Sequence, residues 1–171
     1  MQIKLRVKLY PKGYSVIGTD DRITGALIIP QLIKGKPVFE IDKKAFEGQT
    51  GITTVTIPDS IIRIGDSAFQ RCTGLKKIIT SPHTKLNSIG GRAFFGCSRL
   101  DFVVPESVHF IADKAVEGIK SYKNPAQERF HNFERQRASD MKIVRGRGQK
   151  IDKPLPPKGD PFWDQPNPRI S

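Results

Sequence analysis

The chain is poor in the residues from which reactive sites are usually built. Its two cysteines cannot make a disulfide framework. His83, His109 and His131 are scattered without ligand spacing, so no metal is expected. Phosphate-cradling glycines, a nucleophile elbow, framed carboxylate pairs and a Cys–His arrangement are all missing. The chain is therefore expected to be non-enzymatic, with no catalytic residue, cofactor or small-molecule substrate. No run of 18 apolar residues occurs, which argues against a helical membrane span.

The opening MQIKLRVKLY is basic but lacks the apolar stretch of a secretory signal. Ile3, Leu5, Val7 and Leu9 alternate with polar residues, the period of a strand and not of an amphipathic presequence. The expected compartment is intracellular and reducing: the cytoplasm, or a cytoskeletal or ribonucleoprotein assembly.

Negative charge and apolar residues are also scarce. The formal charge is +12 and the apolar share 37%, while prolines number 13. Such a balance favours an acidic partner and a chain that is partly extended.

What the chain does have is a repeat. Ala45-Phe46, Ala68-Phe69, Ala93-Phe94 and a weakened Ala115-Val116 recur at nearly even intervals. Four residues before each alanine stands an isoleucine: Ile41, Ile64, Ile89 and Ile111. Four after it comes the column Gln49, Cys72, Cys97 and Ile119. Ile52, Leu75 and Leu100 follow, then Val55, Ile78 and Val103, and Pro58, Pro82 and Pro105 close the units, with Pro30 as an earlier echo. Each unit is too small to bury its own apolar face, so successive units must stack into a solenoid with a shared core.

The spacing I-x-x-x-A-F suggests a short helical turn, and L-x-x-I-x-I-P a short strand stopped by proline. Gly51 and Gly74, just before their strands, suggest turns of positive φ. Cys72 and Cys97 share a core column and are expected to be structural thiols.

IPDSIIRIGDSAFQRCTGLKKI (57–78) resembles the BspA-like class of leucine-rich repeat, and GALIIPQLIKGKPVFEIDKKAF (25–46) resembles its first coil. The resemblance covers about residues 20–120. It implies an α/β solenoid with a parallel sheet on one side and short helical turns opposite, and a non-enzymatic protein-binding role often found in cell-surface adhesins. Met1–Tyr10 is expected to cap the first coil as a strand, giving a solenoid of residues 1–124.

Residues 125–171 form a basic, proline-rich tail, expected to be extended. Between Arg129 and Lys150 seven cations (Arg129, Arg135, Arg137, Lys142, Arg145, Arg147 and Lys150) face Glu134 and Asp140. They suit an acidic partner or RNA. Phe162 and Trp163, in DPFWD, are the expected aromatic anchors for a partner pocket. Together these features point to an interaction module built into a large intracellular assembly, its tail threading along neighbouring protein subunits. Acidic assemblies such as microtubules or ribosomes are the expected partners. The alternative is a ribosome-associated RNA binder, and a surface adhesin is a third reading.

Overall fold

A computed structural model describes residues 3–125, 127–128 and 135–136. The chain divides into two units after Glu128, and the fold below is that of the first.

Two ladders of short strands run side by side along the coils. In the first, β1 (Leu5–Tyr10), β2 (Gly13–Thr19), β5 (Lys36–Ile41), β7 (Arg63–Ile64), β9 (Ser88–Ile89) and β11 (Phe110–Ile111) lie in that order. In the second the order is β3 (Gly25–Ile28), β6 (Ile52–Thr56), β8 (Lys77–Ile79), β10 (Asp101–Val103) and β12 (Ser121–Lys123). The inter-coil pairs are parallel. β1 folds back antiparallel on β2, and β4 (Leu32–Ile33) pairs antiparallel with β5.

The isoleucine column therefore lies in strands. Ile41, Ile64, Ile89 and Ile111 pair in register along the first sheet. This overturns the expected α/β architecture with helical turns opposite a single sheet: the fold is a β-solenoid, and no helical element occurs in its described coils.

The reason lies in where the corner N–H groups go. An α-helix directs each N–H to the carbonyl four residues back. In the second coil the N–H groups of Ser67, Phe69 and Arg71 instead donate to Gly91, Ala93 and Phe95 of the next coil, each at 2.8 Å. The alternate N–H groups of Ala68, Gln70 and Cys72 donate three residues back, to Gly65, Ser67 and Phe69. Ser67 and Arg71 take φ of 55° and 59°, which breaks any helical run. Spacing alone cannot separate this corner from a helical turn, because both put Ile, Ala and Phe inward.

The core follows the repeat columns. Phe46, Phe69 and Phe94 stack along the axis, with ring centroids 5.3 and 5.6 Å apart, and Phe102 leans on the last of them. Each is buried. Burying such a ring is favourable by about 1.5–3 kcal/mol, and a well-placed aromatic pair adds about 0.5–1.5 kcal/mol.

Gly51 and Gly74 are required for a reason other than turn geometry. Neither takes a positive φ. A Cβ at Gly51 would run into the Ile23 carbonyl oxygen, and one at Gly74 into that of Thr50, both on the preceding coil. Close approach of coils, not a left-handed turn, selects glycine there.

Candidate interaction face

Period two in the second sheet decides what faces outward. Leu27, Val55, Ile78 and Phe102 point inward and pack in or against the core. Their neighbours point out. Ile28 pairs with Thr56 and Thr56 with Ile79, while Asp101 pairs with Lys77, which sets Val103 level with Ile79. Val103 pairs in turn with Lys123.

The result is an outward row Ile28–Thr56–Ile79–Val103–Lys123 crossing five strands. Ile28 is 68% exposed, Ile79 42% and Val103 61%. Beside it runs a row that starts at Ala26 and is polar from there on: Thr54, Lys77, Asp101 and Ser121. At about 4.8 Å per strand, the apolar row extends about 15 Å from Ile28 to Val103 before Lys123 ends it.

Cations border this face at its C-terminal end. An open surface depression of about 440 Å³ lies beside the polar row, lined by Lys76, Ser98, Arg99, Asp101 and Lys120. The Asp101 carboxylate accepts the Ser121 hydroxyl at 2.6 Å and the Lys120 ammonium at 3.0 Å. Those two hydrogen bonds, the Ser121 bond first, hold its carboxyl below the usual carboxylate range.

The cysteine column serves structure. Cys72 and Cys97 are buried free thiols. The Cys72 thiol donates to the Phe46 carbonyl at 3.1 Å, and the Cys97 thiol to that of Phe69 at 3.0 Å. The neighbouring Cys97 thiol, together with burial, pushes the Cys72 thiol up. In the first coil Gln49 holds this column. Its side chain accepts the Ile23 N–H and donates to the Asp21 carbonyl, tying the preceding loop to the corner.

Of the tail residues singled out above, Arg135 is among the described residues and is exposed. Arg129, Arg137, Lys142, Arg145, Arg147, Lys150, Phe162 and Trp163 lie outside them. Among the described residues no three metal-ligating side chains lie together, and no helix is long and apolar enough to cross a membrane.

The outward row was not singled out from the sequence, although its signal is present. In Leu27-Ile28-Ile29 and Phe102-Val103-Val104 three apolar residues run together. Strand alternation forces the middle one to the surface.

A solenoid of these columns defines a class, and comparison with known proteins gives the same one. The BspA type leucine rich repeat region matches residues 31–127 in six copies. The chain belongs to this leucine-rich-repeat family, whose repeats are consistent with a protein-interaction module. Among solved structures it is similar to a leucine rich repeat protein of T. pallidum, at 27% identity and TM-score 0.56, over 71% of this chain and 69% of that one. A leucine-rich repeat protein of Bacteroides capillosus matches at 27% identity and TM-score 0.59, over 68% of this chain and 91% of the other. A leucine rich cell surface protein of Faecalibacterium prausnitzii matches at 27% identity and TM-score 0.58, over 66% of this chain but 32% of its own length. No curated protein sequence matches the chain.

Proposed function

We propose that the protein is a non-enzymatic interaction module that docks a protein partner on the outward face of its second sheet. The observation that carries this reading is the exposure of Ile28, Ile79 and Val103 on one face of the second sheet. Apolar side chains gathered on one exposed face, here Ile79 beside Val103 with Ile28 beyond Thr56, mark interaction sites. The bordering cations Lys76, Lys77, Arg99 and Lys120 suit a partner of acidic character.

The finer reading places the module in a large intracellular assembly, cytoplasmic, cytoskeletal or ribonucleoprotein. There the tail would run along neighbouring subunits, with Arg129, Arg135, Arg137, Lys142, Arg145, Arg147 and Lys150 on acidic surface and Phe162 and Trp163 as anchors. Microtubules and ribosomes are the acidic assemblies in view. Direct RNA binding through the same arginines is the rival. The apolar row favours protein, because it offers nothing to a phosphate backbone.

The test is affinity capture with the tagged full chain from the source cell, with and without nuclease. It is run beside an Ile79→Glu/Val103→Glu variant and a chain lacking 125–171. The reading expects a defined set of proteins, resistant to nuclease, depleted at least tenfold by the double substitution and reduced by the deletion. Capture that vanishes with nuclease assigns the chain to RNA. Surface biotinylation of intact cells that recovers the protein assigns it to the cell exterior, as the F. prausnitzii relative is described.

A further inference from the structure

Arg99 stands in a column that holds Gly51 and Gly74 in the two preceding coils and Ser121 in the next. Gly51 and Gly74 precede their strands and have no room for a Cβ. Arg99 stands at the same place before Leu100. The 440 Å³ depression opens beside it. A bulky cation thus stands where the two preceding coils require close packing.

The charges around the depression add up to a specific demand. Lys76, Arg99 and Lys120 bring three positive charges, and Asp101 removes one. A net charge of about +2 is matched by a phosphomonoester, which carries roughly −1.5 to −2 near neutral pH. A phosphodiester or a carboxylate brings only one negative charge. Arginine presents a planar fork that can hold two phosphoryl oxygens, and the Ser98 hydroxyl supplies another donor.

Asp101 belongs both to this depression and to the outward polar row, two residues before Val103 on β10. Extended chains advance about 3.3 Å per residue. A segment lying along β10 in the same chain direction, with its phosphate in the depression, carries its residue two positions on over Val103.

We propose that Lys76, Ser98, Arg99 and Lys120 form a phosphoserine- or phosphothreonine-binding subsite, next to the apolar row that takes the following side chains. Phosphorylation of the partner would then switch docking on. This inference rests on the outward face being the interaction surface.

The test is fluorescence anisotropy with the full chain at physiological salt. The probe is a labelled extended peptide with one phosphoserine followed two residues later by valine. Controls are the unphosphorylated peptide, its glutamate version and a short poly(U) RNA. The phosphopeptide is expected to bind at least tenfold more tightly than either peptide control and more tightly than the RNA. Arg99→Glu should abolish the difference. Arg99→Gly, which restores the residue of the two preceding coils, should reduce it about tenfold with the fold retained by circular dichroism. Equal binding of phosphorylated and unphosphorylated peptides overturns the subsite, as does tighter binding of RNA. If peptide binding persists without discrimination and is lost in Ile79→Glu, the subsite alone fails and the interaction face stands.

Discussion

Arg71 and Gly96 hold the same place in successive coils, three residues after the repeat alanine, at φ of 59° and 73°. Gly48 and Gly118 fill that place in the other two coils, also with positive φ. Arg71 is thus the one side chain forced into a left-handed position that three glycines occupy freely.

Relieving that strain should stabilise the protein. Arg71→Gly is expected to raise stability by about 1 kcal/mol, since a non-glycine residue held at αL costs about 1–3 kcal/mol, partly offset by the entropy glycine adds to the unfolded chain. Urea unfolding of the variant checks this, and an unchanged or lower midpoint contradicts it.

Gly48 and Gly74 should respond differently to alanine. At Gly48 the space is open and only the backbone objects, at φ of 73°, so Gly48→Ala should cost about 1 kcal/mol. At Gly74 a methyl meets the Thr50 carbonyl, and Gly74→Ala should cost about 3 kcal/mol by overpacking. Thermal or urea melts of the two variants side by side must keep this order.

The phenylalanine column carries much of the shared core. Phe69 stacks between Phe46 and Phe94. Phe69→Ala removes both contacts and leaves a cavity, for an expected loss of about 3–5 kcal/mol. Phe69→Leu, which fills more of the space, should recover part of it. Equal losses for both variants would show that volume is not what matters at this position.

The thiols should be silent in the native state. Cys72 and Cys97 are wholly buried, and each thiol donates to a carbonyl of the preceding coil. Iodoacetamide at mildly alkaline pH should leave both unmodified until urea unfolds the chain, because a buried sulfur is out of the reagent's reach. Mass spectrometry finding either cysteine alkylated under native conditions refutes this.

Most of the repeat was legible from residue columns, because a stacked core demands the same residue type at the same place in each coil. The exception is Val103, expected inward with Val55 and Ile78. It is exposed while Phe102 takes the inward place, since one residue and not two separates Phe102 from Leu100. Ile64, Ala68, Phe69, Cys72 and Leu75 are all buried as their columns require. The corner conformation was not legible, since hydrogen bonding to the next coil leaves no periodic trace distinct from a helical turn. Gly74 pointed to a special backbone site, but whether φ or crowding selected it depends on the Thr50 carbonyl, a whole coil earlier in the sequence. The charged depression was hidden for a similar reason. Lys76, Arg99 and Lys120 converge only once three coils are laid side by side.

The corner also explains where the coils vary in length. The separation from the repeat isoleucine to the head of the next strand segment is identical in three successive coils: Ile41 to Ile52, Ile64 to Leu75 and Ile89 to Leu100. Alternate N–H groups within this stretch must meet the next coil, so a single inserted residue would offer the wrong set. The remaining path back to the next isoleucine is not constant. It is longest from Leu75 to Ile89, shorter from Ile52 to Ile64 and shortest from Leu100 to Ile111. Each coil is thus a fixed tooth joined to an adjustable spacer. Within the spacers Ile61, Leu86 and Val108 are themselves buried, and the N–H groups of Ile62, Asn87 and His109 bond the preceding coil. The place for a grafted loop or tag is therefore the exposed Pro82–His83 tip of the longest spacer.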